Sequence, residues 1–207
     1  MVKFGKRLEE ELIKDGWEDH YIQYKKLKKV ISAVSKDEVA GEMVQAFVKK
    51  EQFVVKLTDS VDAAATHYTE SAARALKLAE LACEATTTLL GAATKPTPAD
   101  ALSTHIEGAD VLDSLISARF ELEDLREFAL VNREGVRKIL KKWHKKVSTC
   151  SEEMSEQVDS VLTGTPLATS DETAHKVSNA MAMLSDMEAK VALKSTAHAA
   201  YLKAAIA

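Results

Sequence analysis

The chain has 207 residues, 46% of them hydrophobic and 29% charged, enough to bury one sizeable core and too apolar for disorder. Seven glycines, three prolines and 5% aromatics, in a sequence dominated by alanine, leucine, lysine and glutamate, favour helices and exclude an all-β or Rossmann-type architecture. The net charge of −4 conceals two basic islands: residues 1–36 carry nine bases against six acids, and residues 132–146 carry seven bases against one acid.

In chain order, Lys3 to about Asp15 reads as an amphipathic helix with Phe4, Leu8, Leu12 and Ile13 on one side, ended by Gly16. Asp19 is placed to cap a second helix running to about Val34, which makes residues 1–34 a helical hairpin. From Asp37 to about Ala93 no proline intervenes, and the apolar set from Val44 to Val61 predicts a long helix that Gly41 could interrupt. TKPTPAD, residues 94–100, is the clearest loop. A second long helix follows from about Ala101 to Val131, with Leu115, Phe120, Leu122, Leu125 and Phe128 in its apolar seam, and Asn132 and Gly135 as points where it can bend or break. A basic helix then spans about Gly135 to Thr149, a shorter one Glu152 to Leu162, and a turn Thr163 to Pro166. The last helix runs from about Asp171, capped by Ser170, to Leu202.

Two of these helices carry the chemistry. In the basic helix, Lys138, Lys141, Lys142 and Lys145 fall within an arc of about 100°, while Val136, Ile139, Leu140, Trp143 and Val147 occupy the opposite side. Four aligned ammonium groups repel one another unless an anion or acidic groups offset them. In the second helix Leu27, Val30, Ile31 and Val34 form the buried side, and Tyr21, Tyr24, Lys25 and Lys28 cluster beside it. A phenol beside lysines suits phosphate, because the hydroxyl gives a directional hydrogen bond and the ammonium groups supply charge. Each stripe taken alone is equally a solvated helix face. Folded together, the two make one positive site and imply a polyanionic ligand.

Three blocks in this order, MVKFGKRL, WEDHYIQYKKLKKVI and NREGVRKILKKWHKK, resemble the SPX domain family over roughly residues 1–150. The resemblance implies an all-α fold in which an N-terminal hairpin packs on a bundle built around two long helices, with further C-terminal helices. It implies a sensor of inositol polyphosphates and inositol pyrophosphates that regulates a partner protein or attached domain in phosphate homeostasis. By position, the family's ligand-binding residues correspond to Lys3, Tyr24, Lys28, Lys138, Lys141, Lys142 and Lys145, with Lys29 flanking. Lys3 would stand where the first helix offers free N–H groups to phosphate. Val136 stands where the family usually has phenylalanine, and WHKK replaces an aromatic or histidine followed by aspartate and lysine, which leaves the surface more positive.

The expected organisation is one domain over 1–207, with a hairpin at 1–36, a long-helix core at 37–150 that includes the basic helix 135–149, and C-terminal helices at 151–207. The ligand is expected to be inositol hexakisphosphate or an inositol pyrophosphate, with no cofactor and no metal. The six histidines are scattered, and neither HExxH, CxxC, a glycine-rich phosphate loop nor a nucleophile elbow occurs, so no catalysis is expected. A lysine stripe with little arginine and one inward tryptophan is a poor nucleic-acid surface, and no nucleic acid is expected. A purely structural adaptor that docks a partner helix is the remaining alternative. Cys83 and Cys150 are read as inert thiols of a reducing compartment, cytoplasmic or nuclear, and no apolar run is long enough to span a membrane.

Overall fold

The computed structural model describes residues 13–91, 98–147, 150–163, 165–167 and 172–206. The expected first helix and Lys3 lie outside the described residues. Among those described, the secondary structure is all helical: α1 (Tyr24–Ala40), α2 (Met43–Gly91), α3 (Pro98–Lys146), α4 (Glu152–Asp159) and α5 (Glu172–Ile206), preceded by a single 3-10 turn at Glu18–His20. The chain divides into two compact units, one drawn from Met1–Glu70 and Arg126–Ala174, the other from Ser71–Leu125 and His175–Ala207. The two longest helices, α2 and α3, each contribute to both.

Several boundaries differ from the sequence reading. Helix α1 starts at Tyr24 rather than near Asp19, because Trp17, Tyr21 and Ile22 turn inward: Tyr21 and Ile22 are buried, and the Trp17 and Tyr21 rings meet Phe128 edge-on at 5.4 and 4.8 Å. Burial of Tyr21 and Ile22, with Trp17 half-buried beside them, outweighs a cap worth about 1 kcal/mol. Tyr21 therefore belongs to the core, and not to the Tyr24–Lys28 cluster. The helix also runs past Val34 to Ala40, where Gly41 adopts φ +77°. There the Gly41 N–H donates to Glu38 O at 3.2 Å and the Glu42 N–H to Asp37 O at 2.9 Å, a left-handed C-terminal cap that glycine adopts without strain.

Residues 98–100, expected in a loop, are the first turn of α3, with Pro98 at its start, where a missing N–H costs nothing. The second long helix and the basic helix are one continuous 49-residue element. Asn132 does not break it, since its Nδ2 donates to Phe128 O at 2.9 Å within the helix. Gly135 lies under Ile22, whose Cβ is 3.5 Å from where a Gly135 Cβ would stand.

In the first unit, α2 runs antiparallel to both α1 and α3. Against α1, the Gln23 N–H donates to Ser60 Oγ at 3.0 Å, and towards the other end of α1 Lys49 pairs with Asp37 and Lys50 with Glu38. Against α3, Phe53 stacks on Trp143 with centroids 4.1 Å apart and 10° between planes, and His67 lies 5.2 Å from Phe128. Leu27, Ile31, Val34, Phe53, Leu57, Val61, Val136, Ile139 and Trp143 fill this core. Ser151 caps α4, accepting the Met154 N–H at 3.3 Å, and the helix ends at Asp159, short of the expected Leu162.

The second unit is packed with small residues. Ala72, Ala75, Ala79 and Ala82 of α2, Leu115, Ala118, Leu122 and Leu125 of α3, and Val177, Ala180, Leu184 and Val191 of α5 are buried, while Phe120, expected in the seam, is 54% exposed. Arg119 joins Glu123 at 2.6 Å and Glu188 at 2.7 Å. Lys194 donates to the carbonyls of Leu89 and Leu90, which lack intrahelical partners at the end of α2.

Candidate anion-binding surface

The first unit aligns α1 with α3 in parallel. At the start of α1, the buried Ile22 N–H donates to Asn132 Oδ1 at 2.7 Å. Near the far end, α2 relates the two helices, since its Lys50 pairs with Glu38 of α1 while its Phe53, about one turn away, stacks on Trp143 of α3. Ile22 lies against both Asn132 and Gly135, and along a helix each residue adds about 1.5 Å. Tyr24 consequently stands level with residues 134–137 and Lys28 with residues 138–141, the first part of the lysine stripe, while Lys142 and Lys145 lie further along α3.

Individual side chains sort as follows. Lys28 and Lys29 are exposed, Tyr24 is half-buried, Lys141 and Lys145 are exposed, and Lys138 and Lys142 are half-buried. Tyr24 and Lys28 lie about 40° apart around α1, whereas Lys29 is about 100° further round, on the side opposite Leu27 and Ile31. Lys29 thus faces bulk solvent away from the Tyr24–Lys28 edge. Partial burial pushes the Tyr24 phenol above its ordinary value of 10.0, so at neutral pH the hydroxyl is a hydrogen-bond donor.

One carboxylate sits among these cations. Glu134 accepts from Arg137 Nε at 2.6 Å and Nη2 at 2.8 Å and pairs with Lys138 Nζ at 3.1 Å. The two-pronged bond from Arg137, with a smaller contribution from Lys138, holds the Glu134 carboxyl down at about 2. Lys138 is therefore partly neutralised by its own helix. With 33% and 37% of the two side chains exposed, that ion pair is weak and solvent-screened, and a multiply charged anion can displace it. At the other end of the stripe, His144 Nε2 meets Asp159 Oδ1 at 2.8 Å and ties α4 to the lysine helix.

Sequence reasoning did not foresee the residues that hold the surface together. Asn132, 1% exposed, reads as a helix breaker yet bonds α1's lead-in to α3. Lys50 and Glu38 form a buried ion pair, with side chains 6% and 7% exposed and 2.7 Å between them. His20 and His67, read as scattered, stack face to face at 4.0 Å and 11° beneath Trp17. The available signal was a polar residue inside an apolar run, since a buried amide or charge persists only where partners satisfy it.

The family model of the SPX domain matches residues 2–109, just over half of the sequence, and the chain belongs to that family. The third block of the resemblance, at 132–146, lies beyond the matched stretch. A solved structure, the SPX domain of Chaetomium thermophilum glycerophosphodiester phosphodiesterase 1 in complex with inositol hexakisphosphate, is similar over 89% of this chain and 99% of its own, with a TM-score of 0.58 and 24% identity. At that identity the likeness is one of fold. Among curated proteins, none matches the chain. Among the described residues, no helix is long and apolar enough to cross a membrane, and no cluster of histidine, cysteine and acidic residues could hold a metal ion.

Proposed function

We propose that the chain binds inositol polyphosphates or inositol pyrophosphates on the surface shared by α1 and α3, and that binding regulates a partner protein or an attached domain in phosphate homeostasis. The parallel register of α1 and α3 supports this reading, because it brings the start of α1, with Tyr24 and Lys28, beside the beginning of the lysine stripe at Lys138 and Lys141. The inositol hexakisphosphate bound by the Chaetomium SPX domain supports the same ligand class. Lys3 belongs to the proposed set as a ligand contact, with Lys29 as a flanking contributor.

A ring crowded with phosphates suits a multi-lysine surface better than a single phosphate does. Each charge-assisted contact is worth about 1.5–3 kcal/mol before desolvation and ordering are subtracted, so affinity accumulates over several contacts. Tyr24 supplies direction and the lysines supply charge. The bound anion reverses the sign of the surface, and that reversal is what a partner reads. The chain acts as a non-catalytic domain, in the cytosol or nucleus or facing the cytosol if attached to a membrane protein.

Isothermal titration with inositol hexakisphosphate at two salt concentrations tests the reading. Saturable binding that weakens with salt, and that the Lys138→Ala, Lys142→Ala, Lys145→Ala triple variant loses, is expected. Absence of binding, or equal binding by the triple variant, overturns it.

A further inference from the structure

Helix α2 presents a second apolar face that its own core does not use. Its buried face is formed by Ala46, Phe53, Leu57 and Val61. Met43, Val44, Phe47, Val48 and Val55, 46–80% exposed, together with half-buried Val54, fall on an adjoining arc of about 140°. Single exposed apolar residues are unremarkable, but an apolar arc over three helical turns, with Glu51 set into it between Phe47 and Val55, marks an interaction surface. Helix α4 lines the other side of it, and between them lies a groove of about 440 Å³ lined by Phe47, Val54, Val55 and Met154, with Glu51 and Glu153 as its charged lining.

The charges around the groove define the occupant. Glu51, Glu152, Glu153 and Glu156 are exposed, while the lysines of this part of α2 sit elsewhere on the helix: Lys49 is paired with Asp37 and Lys50 with Glu38, and Lys56 lies about 80° beyond the stripe. A second copy of this chain would oppose glutamates to glutamates, and an anionic lipid surface would be repelled in the same way. We infer that the α2–α4 groove docks an amphipathic helix of a partner protein, with an apolar stripe of helical spacing that seats on Phe47, Val54, Val55 and Met154 and with lysines or arginines that meet Glu51 and Glu153. The groove uses none of the residues of the lysine surface, so it stands whether or not that surface binds inositol phosphates.

The test uses two amidated 18-residue peptides labelled with fluorescein, both with leucines at positions i, i+4, i+7 and i+11, one flanked by lysines and the other by glutamates. Fluorescence anisotropy with the full chain should show saturable one-to-one binding of the lysine peptide, at least tenfold tighter than of the glutamate peptide. Val55→Asp should weaken it at least tenfold, and the Glu51→Lys, Glu153→Lys double variant should reverse the preference. That double variant changes only exposed side chains, and circular dichroism melting checks that both proteins fold. Failure of the lysine peptide to bind, equal binding of both peptides, or binding unchanged by the charge reversal overturns the inference. So does a concentration-dependent dimer in analytical ultracentrifugation that Val55→Asp abolishes, which would assign the groove to a second copy.

Discussion

Asn132 and Ile22, 110 residues apart in sequence, are joined by a buried 2.7 Å hydrogen bond, and the same asparagine donates to Phe128 O one turn back in its own helix. One amide thus satisfies the first free backbone donor before α1 and fixes where α1 stands along α3. Replacing Asn132 with leucine keeps approximate size and strands the Ile22 N–H in the core. A loss of about 1–3 kcal/mol is expected, read from urea denaturation. An unchanged unfolding midpoint would mean that the α1–α3 register has other determinants.

Glu134 competes with the proposed ligand. Glu134→Gln should release Lys138 and Arg137 and tighten inositol hexakisphosphate binding a few-fold in titration calorimetry, the scale on which a solvent-screened ion pair acts. The same variant reports on pH. The Glu134 carboxyl lies at about 2 when folded, below its ordinary 4.5, so its ion pairs stabilise the fold above pH 4.5 and are lost as pH falls from there toward 2. The small stability difference between wild type and Glu134→Gln should therefore shrink over that window, and a difference that grew on acidification would contradict the assignment.

Lys50 and Glu38 test the far end of the register. Removing one member of a buried ion pair leaves the other charge uncompensated, so Lys50→Met should cost about 3–5 kcal/mol in denaturant unfolding. The Lys50→Met, Glu38→Leu double variant should recover much of that loss, since two apolar side chains can replace a buried pair. Equal damage in the single and double variants would show that packing, and not charge, dominates there.

Tyr24→Phe removes a hydroxyl and leaves the ring. Affinity for inositol hexakisphosphate should fall roughly tenfold, the worth of one charge-assisted hydrogen bond, with the melting temperature unchanged. Lys28→Ala should cost more affinity than Lys29→Ala, because Lys29 points away from the edge that Tyr24 and Lys28 share. The reverse order, read by the same titration, would place the anion on the outer face of α1.

Much of this arrangement is legible in the sequence. The apolar spacing of Leu27, Ile31 and Val34, the inward Trp143, and the lysine arc from Lys138 to Lys145 follow from helical period alone, and Gly41 is where α1 and α2 part. What periodicity cannot supply is the partner of each side chain. Asn132 and Gly135 look like a break because their roles depend on Ile22, which is remote in sequence. Asp19 looks like a cap because nothing local says that Trp17 and Tyr21 turn toward Phe128. The apolar residues from Val44 to Val55 look like core, yet many face outward, since one helix can carry two apolar faces and composition does not say which one the fold covers.

The stoichiometry of inositol hexakisphosphate binding tests the central claim most directly, measured by calorimetry for wild type, for a Tyr24→Phe, Lys28→Ala variant of α1 and for a Lys142→Ala, Lys145→Ala variant of α3. One anion per chain, with the same binding event weakened at least tenfold by either variant, is the predicted result. Two anions per chain, each sensitive to only one of the variants, would contradict a single surface shared by the two helices.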